Sequence, residues 1–275
     1  MLSNSFLKNS LTNKIIDHLS ISYLYRFLSI LLSFLLVPIS INFLNTDNYG
    51  IWLTISSFIG WFAFFDLGLG NGLRNKFGKA RALNNTELAQ GFISTAYYSI
   101  SCVSFFLFLT FIIINFYINW AQIFNAPDSL ISDLSILMPI IFGFFCFQLI
   151  AKLITSIYFA EQNHSFYLKI QFIIQLFTFL IIWILSLISK GSLLLYGTIY
   201  SALPFLVLIY FNITAFRGKL SDIKPKFSLV KRKYFNDIFG LGLKFFIIQF
   251  SALVLFSTDN FIISHVFSPA EVVPY

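Results

Sequence analysis

Residues 62–83 read FAFFDLGLGNGLRNKFGKARAL. An apolar run up to Phe65 meets Asp66, then glycines at alternate positions (Gly68, Gly70, Gly72), then Arg74, Lys76, Lys79 and Arg81. In a soluble protein, glycines like these can cradle a phosphate between a strand and a helix. In a membrane protein the same order ends a span and turns the chain along the lipid surface. What precedes the glycines decides between the two.

It is hydrocarbon-like. Of 275 residues, 58% are hydrophobic and 11% charged, and the mean hydropathy is +0.83. A soluble domain is about 25% charged. Aromatics reach 20%, with 37 Phe and 13 Tyr, more than one soluble core of this length needs. Windows of about 20 apolar residues, enough to cross a hydrocarbon core of about 30 Å, recur along the chain. Spans are expected at 19–44, 49–66, 88–114, 131–159, 166–188, 192–215 and 240–264. The expected fold class is therefore an all-α polytopic membrane protein with about seven transmembrane helices. The first 17 residues carry Lys8 and Lys14 and lack both a short apolar core and a small-residue cleavage site. They are a poor signal peptide, and the N-terminus is expected to stay on the protein.

The glycine run thus follows a span, not a strand. A dinucleotide fingerprint needs a βαβ setting, so the glycines read as a helix end and a close-packing site.

The net charge of +7 would suggest nucleic acid in a soluble protein, but its placement argues for topology. Lys8, Lys14, Arg74, Lys76, Lys79, Arg81, Arg217, Lys219, Lys224, Lys226, Lys231, Arg232, Lys233 and Lys244 fall on one side of the expected membrane. The opposite segments, 45–48, 115–130, 189–191 and 265–275, hold Lys190 alone. This asymmetry places the N-terminus and the loops after even-numbered spans in the cytoplasm. Cys102 and Cys146 lie within apolar spans and read as small core residues.

The organisation expected is a six-helix lobe over 1–215, a basic amphipathic linker helix over 216–239 lying on anionic lipid, and a further helix within 240–275. That last segment resembles the first span. NTDNYGIW (45–52) and SPAEVVPY (268–275) follow spans one and seven with the same acidic-then-aromatic order. A weak repeat of this kind suggests a second six-helix unit beginning where the sequence stops, as in transporters built from repeated halves.

The stretch YGIWLTISSFIGWFAFFDLGLGNGLRNKFGKA, followed by AQGFISTAYYSIS and by the TDN of span seven, resembles the polysaccharide transporter family. This family, which includes O-antigen and capsule-repeat flippases, lies in the multidrug/oligosaccharidyl-lipid/polysaccharide exporter superfamily. The resemblance runs along the whole chain. It implies two six-helix lobes around a central cavity, moving undecaprenyl-diphosphate-linked sugar repeats across a bacterial inner membrane. A full member would have about twelve spans, so most of the second lobe is expected to be missing. The partners implied are a lipid-linked oligosaccharide, membrane lipids and other polysaccharide-assembly membrane proteins. No nucleic acid, cofactor or metal is implied.

Charges within hydrocarbon are costly, so each marks a candidate site. Ser22, Arg26, Ser29 and Ser33 share one face of the first helix, and Arg26 either faces the cavity or snorkels to headgroups. Lys152 has Gln148 and Thr155 at one-face spacing. Lys169 is shallower and is as readily a snorkelling side chain. Gln171, Gln175 and Thr178 form a stripe suited either to sugar contact or to helix–helix hydrogen bonds. All three cations lie in the cytoplasmic half, where a diphosphate would meet a cationic pocket with forked guanidinium contacts. Asp259, beside Asn260, is either an ion-coupling acid or a helix contact, and Asp66 is expected to be structural, set against Arg74 or Lys76. The substrate-binding candidates are thus Arg26, Lys152, Lys169, Gln148 and Gln175.

Enzyme readings find little support. No nucleotide–metal DxD motif, P-loop or HExxH occurs, and His18, His164 and His265 are scattered. A polymerase or ligase of the same pathway would be expected to work in a large outer loop, and none here exceeds about 16 residues. A drug/cation antiporter of the superfamily would want intramembrane acids where this lobe supplies cations.

Overall fold

The computed structural model describes residues 2–66, 68–189, 191–256 and 259–273, with side chains from Ser20 onward except at 63, 64, 249, 250, 252–256 and 261. The side chains of Lys8, Lys14 and His18, and residues Lys190 and Thr258, which entered the reading above, lie outside that description. Among the described residues the chain is helical and has no strand. The elements are α1 (Leu2–Leu44), α2 (Thr46–Gly60), α3 (Leu69–Ala82), α4 (Thr86–Asn115), α5 (Trp120–Ile123), α6 (Ile131–Ala151), α7 (Leu153–Ala160), α8 (His164–Ile188), α9 (Leu193–Arg217), α10 (Arg232–Phe256) and α11 (Asp259–Val266). Short polar side chains start the helices: Asn45, Asn85, Asn163 and Ser192 each accept a first-turn amide hydrogen bond.

Five described segments are long and apolar enough to cross a membrane: Ser20–Leu44, Thr86–Asn115, Asp128–Ala160, His164–Ile188 and Leu193–Arg217. Large apolar side chains such as Phe34, Phe106, Leu187, Tyr210 and Ile247 stand exposed on their outer faces, as suits side chains that lipid will cover. The protein is an all-α polytopic membrane protein.

Three expected spans differ in detail. The second is not one helix: α2 stops at Gly60, and Trp61–Asp66 continues as a 3-10 turn. There Phe62 meets Phe58 and Phe142 edge-on, with ring centroids 5.4 and 4.9 Å apart. The fourth breaks at Lys152, between α6 and α7. The seventh is described as two helices, α10 and α11, and α10 begins well before residue 240.

The expected linker helix is also absent over 218–231. Two 3-10 turns, Ser221–Ile223 and Phe227–Leu229, fill that stretch. Lys224 is extended (φ −54°, ψ 134°) because Pro225 follows it. The turns are fastened to α4. Gln90 Nε2 donates to the Lys224 carbonyl (2.7 Å), and the Lys226 and Lys231 amides donate to Ser94 Oγ (3.0 Å) and Thr95 Oγ1 (3.3 Å).

The loops gather at two ends, in the alternation that the charge pattern requires. At one end Arg81 pairs with Glu161 and Asp222 (3.3 Å each), Lys219 with Glu161 (2.9 Å) and Lys76 with Asp237 (3.3 Å). At the other, Asn125 Nδ2 donates to the Ser264 carbonyl (3.2 Å), and Ser264 Oγ donates to the Phe124 carbonyl (3.1 Å). Gly191 lies against the Phe43 carbonyl and Gly50 against that of Pro269. The first end carries the basic loops, the end that the positive-inside rule assigns to the cytoplasm.

Each end has its own packed core. Leu73, Phe77, Ile93, Ile154, Ile157, Leu220 and Ile238 are fully buried in the cytoplasmic one. The outer one is aromatic: Phe111 stacks on Phe142 (3.9 Å) and Trp120 (5.5 Å), and Trp120 on Phe124 (5.7 Å). In lipid such packing and hydrogen bonding replace the hydrophobic drive between helices.

The glycine run does what its context implied. Asp66 Oδ1 accepts the Gly68 amide (2.7 Å), and Gly68 turns left-handed (φ 69°) to start α3. A Cβ on Gly68 would strike the Gly242 carbonyl, and one on Gly72 the Ile238 carbonyl, so α3 and α10 meet backbone to backbone. Asp66 differs from expectation in its neighbours. Its charge faces Lys152, while Lys76 pairs with Asp237 and the Arg74 guanidinium lies 5.2 Å over the Phe159 ring.

Candidate functional site

A cavity of about 170 Å³ lies among α2, α6 and α9. Its walls are Trp52, Ser56 and Ile59 of α2, Ile141, Phe145 and Gln148 of α6, and Tyr200, Ser201 and Pro204 of α9. With 1.5 Å rise per residue, Tyr200 and Pro204 stand roughly 10–16 Å from the outer end of α9, near mid-membrane. The sequence explains why a cavity forms there. Gly197 lets Trp52 and Leu137 approach α9 closely. Two turns on, Pro204 has no amide to give the Tyr200 carbonyl, so that oxygen lacks its regular helix partner.

Aromatic packing fixes one wall. The Trp52 ring stands edge-on to Tyr196 (5.3 Å) and Tyr200 (5.0 Å), and the Tyr196 hydroxyl shares a 2.9 Å hydrogen bond with Ser40 Oγ of α1. The same three helices also bring polar groups to the lining. Gln148 Nε2 donates to the Ser201 carbonyl (2.8 Å), which orients the amide and leaves its oxygen as an acceptor. Ser201 Oγ donates to the Gly197 carbonyl (2.7 Å). Ser56 Oγ is buried and has no hydrogen-bond partner among the described residues, an unsatisfied hydroxyl beside a cavity. Aromatic faces with a few fixed polar groups make a site for a polar, ring-bearing ligand.

Of the residues singled out from sequence, Gln148 lines this cavity. Lys152 follows it by four residues on the cytoplasmic side, exposed at the α6–α7 break. Thr155, expected on the same face, is buried instead and turns its hydroxyl back to the Lys152 carbonyl (2.7 Å). Arg26 and Lys169 stand on α1 and α8, which pack along each other through Tyr25 and Phe172 (5.6 Å). Both are exposed, and both lie roughly 27–28 Å before the outer ends of their helices, so they share one height.

The serines of the Arg26 stripe are partly spent on their own helix. Ser29 and Ser33 donate to the carbonyls of Tyr25 (2.7 Å) and Ser29 (2.9 Å). Gln175 is half-buried on α8, and Thr178 donates back to Ile174 (2.9 Å). The structure therefore joins Gln148 to the cavity, places Lys152 next to it and sets Arg26 and Lys169 together on a different helix pair. Asp259 opens α11, and its neighbour Asn260 donates Nδ2 to Ser57 Oγ (2.8 Å), binding α11 to α2.

Trp52, Ser56, Tyr200 and Ser201 were missed from sequence. Pro204 within an apolar helix, with Gly197 seven residues before it, was the signal that could have pointed to them.

A helical bundle with a mid-membrane cavity and cations on its cytoplasmic side has the fold of a membrane transporter. It superposes on the inward-facing conformation of a multidrug resistance MATE family transporter of the MOP superfamily, with a TM-score of 0.64 and 15% identity. That match covers 94% of this chain and 59% of the transporter, and it is a likeness of fold. The chain belongs to the polysaccharide biosynthesis protein family, whose pattern it matches over residues 16–275. It is also 34% identical over 88 residues to a Yersinia pseudotuberculosis protein provisionally assigned to O-antigen export, across 32% of this chain and 20% of that relative.

Proposed function

We propose that this protein serves the translocation of undecaprenyl-diphosphate-linked oligosaccharide repeats across the bacterial inner membrane, for O-antigen or another surface polysaccharide. Family membership over residues 16–275 carries this reading. In it, residues 1–215 form one lobe, 216–239 connect it onward, and 240–275 belong to a second, repeat-related unit. The protein acts as a transporter and not as an enzyme.

The side chains divide the work by depth. Trp52 and Tyr200 offer ring faces to a sugar, and Gln148 and Ser56 offer hydrogen bonds to its hydroxyls. Lys152, Arg26 and Lys169 offer positive charge on the cytoplasmic side, where a diphosphate would be loaded. Asp259, at the start of α11, serves in this reading as the ion-coupling acid.

Binding tests the proposal directly. The purified chain in detergent should retain undecaprenyl diphosphate over undecaprenol in native mass spectrometry. Lys152→Gln with Arg26→Gln should reduce that preference about tenfold, the scale of losing charge-assisted hydrogen bonds. Equal retention of the two lipids, or an undiminished preference in the double variant, would reject the assignment of these cations.

A further inference from the structure

The mid-membrane site does not use the other sizeable polar cavity, a cleft of about 460 Å³ at the cytoplasmic end between α3, α4 and α10. Lys76 and Lys79 of α3, Lys231 just before α10 and Lys233 in its first turn face it. The one acid in its lining, Asp237, is engaged by Lys76 at 3.3 Å. Among the described residues no carboxylate pairs with Lys79, Lys231 or Lys233, and all three are exposed. Three positive charges around one cleft repel one another, and an anion between them removes that repulsion.

The other walls are apolar: Leu83, Leu88 and Phe92 line the cleft beside the lysines. The Tyr234 ring, received by Gly91, lies 5.0 Å from that of Phe92 and 5.4 Å from Lys231 Nζ. A free anion would gain nothing from such walls, whereas an amphiphile uses both. The cleft also stands at the membrane surface. Leu83 at the end of α3 is 65% exposed, and Phe227 in the turn before α10 is 76% exposed, as suits side chains resting in the headgroup layer.

We propose that this cleft binds the headgroup of an anionic phospholipid from the cytoplasmic leaflet, with its phosphate among Lys79, Lys231 and Lys233 and its glycerol end along Leu83 and Leu88. Basic clefts between helices on the cytoplasmic side suit that chemistry. The cleft shares no lining residue with the cavity around Gln148 and Tyr200, so its occupant is a component of the bilayer, distinct from the cargo. The lipid bridges α3 to the first turn of α10, next to the point where Gly72 meets Ile238. It acts as a clasp on the base of α10, whatever the protein carries.

The test is phosphatidylglycerol binding in phosphatidylcholine nanodiscs, read by native mass spectrometry. Lys79→Gln/Lys231→Gln/Lys233→Gln should weaken it about tenfold or more, from the loss of three surface cations. Lys224→Gln/Lys226→Gln/Arg232→Gln removes the same charge at the same end, outside the cleft, and should change binding by less than about threefold. Equal effects of the two triple variants would overturn the proposal, as would a wild-type protein with no preference for phosphatidylglycerol over phosphatidylcholine. Competitors identify the source of the phosphate. Displacement of phosphatidylglycerol by equimolar inorganic phosphate would make the cleft a plain anion site, and displacement by undecaprenyl diphosphate would assign it to the cargo. Either result overturns the phospholipid assignment, and the expected result is that neither competitor displaces it.

Discussion

The side-chain amide of Asn212, on α9, donates a 2.8 Å hydrogen bond to the main-chain carbonyl of Ala151, the last residue of α6. At that point the Thr155 amide bonds to the Lys152 carbonyl (2.9 Å), one residue nearer than a regular α-helix would choose. The Ala151 carbonyl is thereby released, and Asn212 takes it. The Tyr97 hydroxyl of α4 completes the chain, donating to Asn212 Oδ1 (2.6 Å). A side chain on one helix thus supports a break in another, and the break is where Lys152 emerges.

Replacing Asn212 by Leu should therefore do more than remove a hydrogen bond. It strands the Ala151 carbonyl and the Tyr97 hydroxyl in a dry interior. Thermal unfolding of the detergent-solubilised protein should show a loss of about 1–2 kcal/mol. An unchanged melting curve would mean that the α6–α7 break is held by other contacts.

The glycine crossing gives a paired test. Gly72→Ala pushes a methyl group into the Ile238 carbonyl, whereas Gly60 has nothing within 4 Å of its would-be Cβ. Gly72→Ala should cost about 1–3 kcal/mol by overpacking, and Gly60→Ala should be neutral or slightly stabilising. Similar melting curves for both variants would remove α3–α10 contact from the account of stability.

Topology is tested by labelling in a background with Cys102 and Cys146 replaced by Ala. Tyr117, 86% exposed just beyond α4, and Glu87, exposed in its first turn, lie at opposite ends of one 30-residue helix. An impermeant thiol reagent added to intact cells should modify Tyr117→Cys and spare Glu87→Cys. The reverse pattern would invert the orientation derived from the basic loops.

Arg26 separates diphosphate binding from simple anchoring at headgroups. Arg26→Lys keeps the charge and loses the planar fork. If Arg26 grips a diphosphate, the lysine variant should bind undecaprenyl diphosphate about three- to tenfold more weakly, and Arg26→Ala more weakly still. A lysine variant that binds like the parent would leave Arg26 as a snorkelling side chain and the diphosphate to Lys152 and Lys169.

How legible this was from sequence depends on the range of each interaction. The spans and the two ends could be read because hydropathy and basic-loop placement are summed over many residues. Gly68 and Gly72 could be read as a packing site, since small residues after a span serve close approach, although their partners in α10 could not be known. The break at Lys152 was illegible: no Gly or Pro marks it, and its cause, Asn212, lies on another helix. The cavity was illegible for the same reason, being assembled from three separated helices of which only Gln148 had drawn attention. Residues 218–231 of the linker were misread because their basic pattern suits a surface helix, while Pro225 and the hydrogen bonds to Gln90, Ser94 and Thr95 hold them as turns; the remainder, from Arg232, is helical as expected.

The pairing of α1 with α8 also sets an order of events during synthesis. The first span makes its most extensive contacts along α8, which begins about 120 residues after α1 ends. At roughly 5–20 residues per second, the ribosome needs on the order of ten seconds to deliver that partner. For that interval α1 is inserted but not yet packed along its main neighbour, and its Arg26 has only lipid, water and the insertion machinery around it. The nascent chain is therefore most dependent on its insertase between the first crossing and the fifth, and substitutions that make α1 more polar should lower yield by losing chains at that stage.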